Sequence, residues 1–168
     1  MLQKSPLRTL VSAVFGMLLV APAAAAEWQY EDLGVPIAYF DNGRAQFQFA
    51  CRGADLTVGF WVRAPHRQVA EAASMNLAIT PDPAKGTGPS SLSGASFAQD
   101  MPLIHSDGTS MVIRGPVAQT WARIAQQAVN VIRVAYIRKH GAIEVFDSND
   151  FGASGSAVAI GKVLARCG

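Results

Sequence analysis

Three histidines, His66, His105 and His140, are the natural places to look for acid–base or metal chemistry in this chain. His66 follows Pro65 in a loop, and His140 sits at a hairpin tip between Lys139 and Gly141, where an imidazole is ordinarily solvated. His105 and Asp107 are two residues apart and could share one face of a strand. Asp107, however, is needed for a turn with Gly108, and two ligands fall short of the three or four that zinc takes. Gly152-Ala153-Ser154-Gly155-Ser156 has a strand before it and a helix after it, the setting of a nucleophile elbow. The pattern fails because position 156 is Ser and because no Asp or His follows Ser154. Ser154 or Ser156 reads better as a helix cap. Asp150-Phe151-Gly152 spells a kinase tripeptide in a chain too short for a kinase. No carboxylate pair stands out for glycoside cleavage, and there is no phosphate loop. The sequence therefore assigns no catalytic residue, no metal and no cofactor.

Two other sets of residues carry more information. Cys51 and Cys167 are the two cysteines of the chain. In an oxidising compartment two thiols in one domain pair, and a redox role is disfavoured because catalytic pairs sit close, as in C-x-x-C. The second set is aromatic and amide. If Tyr39, Gln46, Gln48 and Trp61 share one face of a sheet, they make an aromatic–amide platform for a ligand or partner. Two cationic clusters, Arg63-His66-Arg67 and Arg138-Lys139-His140, are further candidates for an anionic headgroup or an acidic patch on a partner; such charges otherwise form a solvated face.

The elements that must position these residues can be read from alternation and turn chemistry. Residues 36–63 form a three-stranded meander, with turns at Asn42-Gly43 and Gly53-Ala54. Pairing Arg52 with Asp55 sets Cys51 against Leu56, Phe49 against Val58, Phe47 against Phe60 and Ala45 against Val62, an apolar face throughout. Pairing Asp41 with Arg44 adds Phe40 opposite Ala45 and Ala38 opposite Phe47. The same register puts Tyr39, Gln46 and Trp61 in one row of the other face, with Ile37, Gln48 and Gly59 beside it. Residues 64–73 fit a loop or a short helical turn. A strand follows over Met75–Thr80, and a flexible loop rich in Pro, Gly and Ser over 81–94. Strands over 96–105 and 109–114 flank Asp107-Gly108.

Pro116 to Val129 is expected to be a helix, with Val117, Trp121, Ile124 and Ala128 on its buried face. Val131–Arg138 and Ala142–Asp147 form a hairpin in which Arg133 meets Asp147. A last helix, about Ser156–Ala165, carries Ile160, Val163, Leu164 and Cys167 on the face that must reach Cys51. The fold class is thus α+β: an antiparallel β-sheet or sandwich of about eight strands with two helices, the C-terminal one bridged to an early strand.

The N-terminus reads as an export signal. Lys4 and Arg8 precede an apolar run from Leu10 to Val20, and Ala24 and Ala26 suit an A-x-A cleavage site before Glu27. The apolar run is short for a span of roughly 20 residues. Losing residues 1–26 lowers Lys+Arg from 14 to 12 against 12 Asp+Glu, so the mature chain is formally neutral. That balance gives no electrostatic basis for binding nucleic acid or an anionic membrane. Residues 27–168 are long enough for a single domain with its own core.

One resemblance bears on function. Val117-Ala118-Gln119-Thr120-Trp121-Ala122-Arg123-Ile124, the strand Val131–Ile137, and then Phe146, Gly152, Ala157, Ile160 and Leu164 are similar in layout to exported proteobacterial proteins of the invasion-associated locus B type. The likeness covers about residues 111–166 and rests on apolar spacing. The cysteines depart from it, because that family typically carries more of them. Members are envelope or secreted proteins linked to host-cell interaction, so the resemblance implies a non-enzymatic role.

The reading that follows is a periplasmic or secreted binding or accessory protein of a Gram-negative bacterium, recognising a protein or envelope component through Tyr39, Gln46, Gln48 and Trp61 or through the 81–94 loop. The alternatives are an envelope hydrolase with a Ser/His/Asp site not visible in the sequence, and a structural subunit of a secretion or surface assembly. Intact-mass measurement on periplasmic material should give a chain beginning at Glu27; retention of residues 1–26 would contradict the export reading.

Overall fold

The computed structural model describes residues 27–167; the expected signal segment, residues 1–26, lies outside them. Strands β1 (Gln29–Asp32), β2 (Pro36–Asp41), β3 (Ala45–Arg52) and β4 (Asp55–Val62) come first, followed by the one-turn helix α1 (Arg67–Ala70). Then come β5 (Ser74–Pro81), β6 (Ser96–His105) and β7 (Thr109–Arg114), helix α2 (Pro116–Gln127), the hairpin β8 (Val131–His140) and β9 (Ala142–Gly152), and helix α3 (Ser156–Cys167). All nine strands lie in one antiparallel sheet, in the order β1-β2-β3-β4-β7-β6-β5-β8-β9. The expectation of eight strands and two helices is corrected to nine and three among the described residues. The strand not foreseen is β1, whose Gln29-Tyr30-Glu31-Asp32 has no apolar alternation and pairs only with β2.

The sheet curls into a half-barrel around α2 and α3. Its inner face comes from alternation: Phe47, Phe49, Val58 and Phe60 are fully buried, while the outward Gln46, Gln48, Gly59 and Trp61 are half-buried. The two ends of the sheet meet across an aromatic cluster. Trp28 lies 5.9 Å from both Phe47 and Phe49, and Phe151 of β9 lies 5.7 Å from Phe40 of β2. Trp28 also donates its indole N–H to the Gly152 carbonyl at 2.9 Å and its backbone N–H to that of Ser154 at 3.3 Å. The seam between β2 and β9 has no backbone ladder. Asn42 crosses it with its side-chain amide, reaching Asn149 Oδ1 and the Asp150 carbonyl.

The β3–β4 register is the expected one at every pair from Ala45↔Val62 to Arg52↔Asp55. The β2–β3 register is offset by two residues: Asp41 opposes Gln46, not Arg44. Asn42 causes the offset. Its side-chain oxygen accepts the N–H groups of Arg44 and Ala45, and its own N–H bonds the Ala45 carbonyl. The turn is therefore centred on Gly43-Arg44, with only Gly43 at positive φ, 85°. Because the offset is even, inward residues stay inward.

The β8–β9 hairpin is shifted too. It pivots tightly at Gly141, so Ile137 meets Val145 rather than Ile143, and a bulge near Asp147 adds one more residue. Asp147, at φ 47°, accepts the backbone N–H of His66 at 2.8 Å. Arg133 consequently pairs with Asp150, not Asp147, at 2.6 Å and with its side chain 11% exposed.

Helix α2 packs inward with Trp121, Ile124 and Ala128 of the expected face, but its centre lies on alanines and not on Val117. Ala118, Trp121, Ala122 and Ala125 are buried, an i, i+3, i+4, i+7 stripe, whereas Val117 is 37% exposed. Small alanines let the helix approach β4 and β7 closely enough to bury the Trp121 ring. In α3 the buried face is Ala159, Ile160 and Val163, with Leu164 and Cys167 at its margin. Ser156 does not cap it: its hydroxyl is buried without a hydrogen-bond partner.

The segment after β5 is tied at several points. Asp82 accepts the backbone N–H groups of Val129, Asn130 and Val131, and Arg133 donates to the Gly88 carbonyl. Burial raises the Asp82 carboxyl pKa, but those three donors outweigh it and leave the group below its ordinary value.

Cys51 and Cys167 form the expected disulfide, with Cα atoms 5.6 Å apart and 116 residues apart in sequence. A loop of that length is worth about 4–5 kcal/mol in the chain-entropy account. Urea unfolding with and without a phosphine reductant should show a loss of that order. An unchanged midpoint would mean the bridge contributes nothing to stability.

Candidate functional site

The outer face of β2, β3, β4 and β7 forms a grid set by three consecutive registers. One row reads Asp41, Gln46, Trp61, Ser110; the next reads Tyr39, Gln48, Gly59, Val112; the third reads Ile37, Ala50, Thr57, Arg114. The expected row of Tyr39, Gln46 and Trp61 is thereby corrected. The two-residue offset at Asn42 moves Tyr39 opposite Gln48, while Gln46 and Trp61 remain together. All four of Tyr39, Gln46, Gln48 and Trp61 are half-buried, neither covered nor fully exposed.

The side chains of this face are held by one another. Trp61 donates its indole N–H to the Asp107 carbonyl at 2.9 Å, and the Arg63 guanidinium sits 4.5 Å above its ring. Arg63 in turn grips Asp41 with both terminal nitrogens, and that bond, with help from the Gly43 N–H, holds the Asp41 carboxyl below its usual range despite partial burial. Gln46 donates to Gln48 at 2.8 Å. Tyr39 donates to Glu31 at 2.8 Å, an arrangement that raises the phenol pKa.

Between these walls the floor is made of small residues. Gly59 has no side chain, and Gln48 leans over it: a Cβ on Gly59 would lie 3.0 Å from Gln48 Cγ. On one side of Gln48 is a hollow of about 270 Å³ bounded by Gln46, Trp61, Ser110 and Val112. On the other is one of about 280 Å³ bounded by Ile37, Ala50, Arg52, Thr57 and Arg114. The two share Gln48, Gly59 and Val112 and lie end to end, a trough along the strands that the Gln48 side chain divides. Together they fall within the roughly 300–1,000 Å³ common for small-ligand sites. From Gln46 to Arg52 is six residues of strand, about 20 Å.

Other candidates are engaged elsewhere. His105 bonds Thr109 Oγ1 at 3.0 Å through Nδ1 and the Ala72 carbonyl at 2.8 Å through Nε2. Since a carbonyl only accepts, Nε2 carries the proton and Nδ1 accepts the Thr109 hydroxyl. That fixed tautomer ties β6 to the segment before β5, and Asp107 sits in the turn at φ 56°. His66 accepts the Gln68 N–H and lies 5.2 Å from the Phe146 ring. Neither imidazole bonds a serine or a carboxylate. Among the described residues no three His, Cys, Asp or Glu side chains gather as for a metal ion.

The cationic clusters are also partnered. Arg67 pairs with Glu71, Arg138 lies over Phe146 and reaches the Gln68 carbonyl, and Lys139 sits over Phe97. Phe151 belongs to the core, and Asp150 is the partner of Arg133. Arg52, Arg114 and Gly59 are members of the trough that the aromatic and amide residues did not announce. Gly59 and Arg52 were visible in the β3–β4 register, but Arg114 joins them only through the non-local pairing of β4 with β7.

No protein-family model matches the chain, and comparison with the curated proteins and with the solved structures finds no significant match.

Gly108 positions Trp61. It lies at φ 112°, and a Cβ there would run into the Val62 carbonyl and come within 2.9 Å of Trp61 Nε1. Gly108→Ala should cost about 1–3 kcal/mol and shift the Trp61 indole resonance in a ¹H–¹⁵N spectrum while leaving that of Trp121 in place. An unmoved Trp61 signal would show that the turn does not fix the ring.

Proposed function

We propose that this chain is a non-enzymatic binding or accessory protein, working in the periplasm or secreted from a Gram-negative cell. It recognises a protein or envelope component through the outer face at Tyr39, Gln46, Gln48 and Trp61. The observation that carries the reading is the trough on that face: two adjoining hollows that meet at Gln48, lined by amide groups, small residues and the Trp61 ring. Such a surface binds without moving, because its strands are paired on both sides and its walls are hydrogen-bonded to one another.

Three further observations support it. A disulfide between a core strand and the last helix is consistent with an oxidising compartment outside the cytoplasm. No described helix is long and apolar enough to cross a membrane. The likeness of residues 111–166 to invasion-associated locus B type proteins favours an envelope or secreted role.

The combined variant Tyr39→Ala/Trp61→Ala removes the Trp61 ring from its hollow and the Tyr39 ring from the same face, and leaves the inner face untouched. It should abolish capture of the partner from periplasmic extract while the melting temperature stays near that of the parent chain. Capture at parental strength would place recognition elsewhere, with the 81–94 segment the next surface to vary.

A further inference from the structure

The trough is asymmetric in charge. At the Trp61 end, Arg63 is neutralised by Asp41, so the wall offers amides and a ring but no free cation. At the other end Arg52 and Arg114 are both exposed and line the same hollow, and among the described residues neither makes a salt bridge. Asp55 stands opposite Arg52 in the register without bonding it. Between the arginines lies Thr57, whose hydroxyl is already spent on the Ala50 carbonyl at 3.2 Å, so the floor there is shallow and chemically quiet.

From this polarity we infer that the trough takes an acidic oligosaccharide, with a carboxylate between Arg52 and Arg114 and sugar rings running toward Trp61. The inference rests on the outer-face binding reading and gives it a ligand class. Each guanidinium presents a planar fork that fits a carboxylate, and two forks over one hollow select an anion more strongly than one. Gln46 and Gln48 supply donors and acceptors of the kind that hydroxyls need. Val112 and the Trp61 ring offer apolar surface to the flat side of a sugar ring. The length of about 20 Å suits a short oligomer better than a single sugar.

An extended peptide fits less well. Lying across the face of a sheet, it has no strand edge to pair with, and its backbone groups would meet only two side-chain amides. Buried polar groups left unmatched are costly, whereas sugar hydroxyls at the open top of the trough keep their water.

The test uses the mature, oxidised protein and titration calorimetry at low salt. The probes are trigalacturonate, maltotriose as a neutral trisaccharide, inorganic phosphate as charge alone, and an acidic pentapeptide. Trigalacturonate should bind at least tenfold more tightly than each of the other three. Arg52→Gln/Arg114→Gln should weaken it at least tenfold with the melting temperature unchanged. Arg52→Lys/Arg114→Lys, which keeps both charges but loses the planar forks, should bind with intermediate affinity and guards against a folding defect in the glutamine variant. The inference falls if trigalacturonate does not bind, if maltotriose or phosphate binds as well, if the pentapeptide binds more tightly, or if the arginine variant binds as the parent does. Any of these with the Tyr39/Trp61-dependent capture intact removes the sugar assignment alone. Loss of that capture dependence removes the outer-face reading too.

Discussion

Trp28 packs against Phe40, Phe47 and Phe49 of β2 and β3 and bonds Gly152 and Ser154 at the end of β9, joining the two edges of the sheet. Its two bonds to the segment after β9 hold there what strand pairing does not. A nine-stranded antiparallel sheet twists on its own, but twist alone does not bring first and last strands together. The aromatic cluster does that by burying ring surface from β2, β3 and β9 in one place, with edge-to-face geometry at several pairs. Curling the sheet inward over α2 and α3 gives the core its apolar face and leaves the opposite face of β3 and β4 open. The trough is a by-product of that closure, shaped where outward-facing residues are small.

Long-range ties then fix the closed form. The disulfide anchors the end of α3 to β3, and Tyr136, fully buried, bonds the carbonyls of Phe60 and Thr109 beneath the trough. Burial and the nearby Asp147 charge push that phenol far above its ordinary range, so it remains a donor at any physiological pH. Its bonds span β4 and β7, the two strands whose pairing brings Arg114 beside Thr57.

Residues 36–63 show what a sequence can disclose. Strict alternation with a short turn left a single register for β3 and β4, and Cys51 fell on the inner face as a consequence. The neighbouring hairpin was less legible because Asn42 uses its side chain, not only its backbone, to close the turn. That is a choice between two chemically reasonable turns which strand patterning cannot see. Asp147 is a similar case, a bulge stabilised by a contact to His66 from 81 residues away. The face of α2 was legible through Trp121, Ile124 and Ala128, but alanine is apolar and small, and proximity to the sheet placed Ala118, Ala122 and Ala125 at its centre in preference to Val117. The site was legible only in part. Tyr39, Gln46, Gln48 and Trp61 do lie on one face, but the arginine end needs β7 beside β4, a long-range pairing of Thr57 with Arg114 that has no local signature.

The first strand has a consequence of its own. β1 is an outermost strand, and its four residues include Glu31 and Asp32, with Asp32 bonded to Arg166 of α3. An outermost strand rich in acid and only four residues long is a poor template for a second chain to extend. A polypeptide that must find its one sulfur partner among crowded copies of itself gains time from that. The same short acidic ribbon that is hardest to recognise as a strand thus offers a neighbouring molecule little edge to extend.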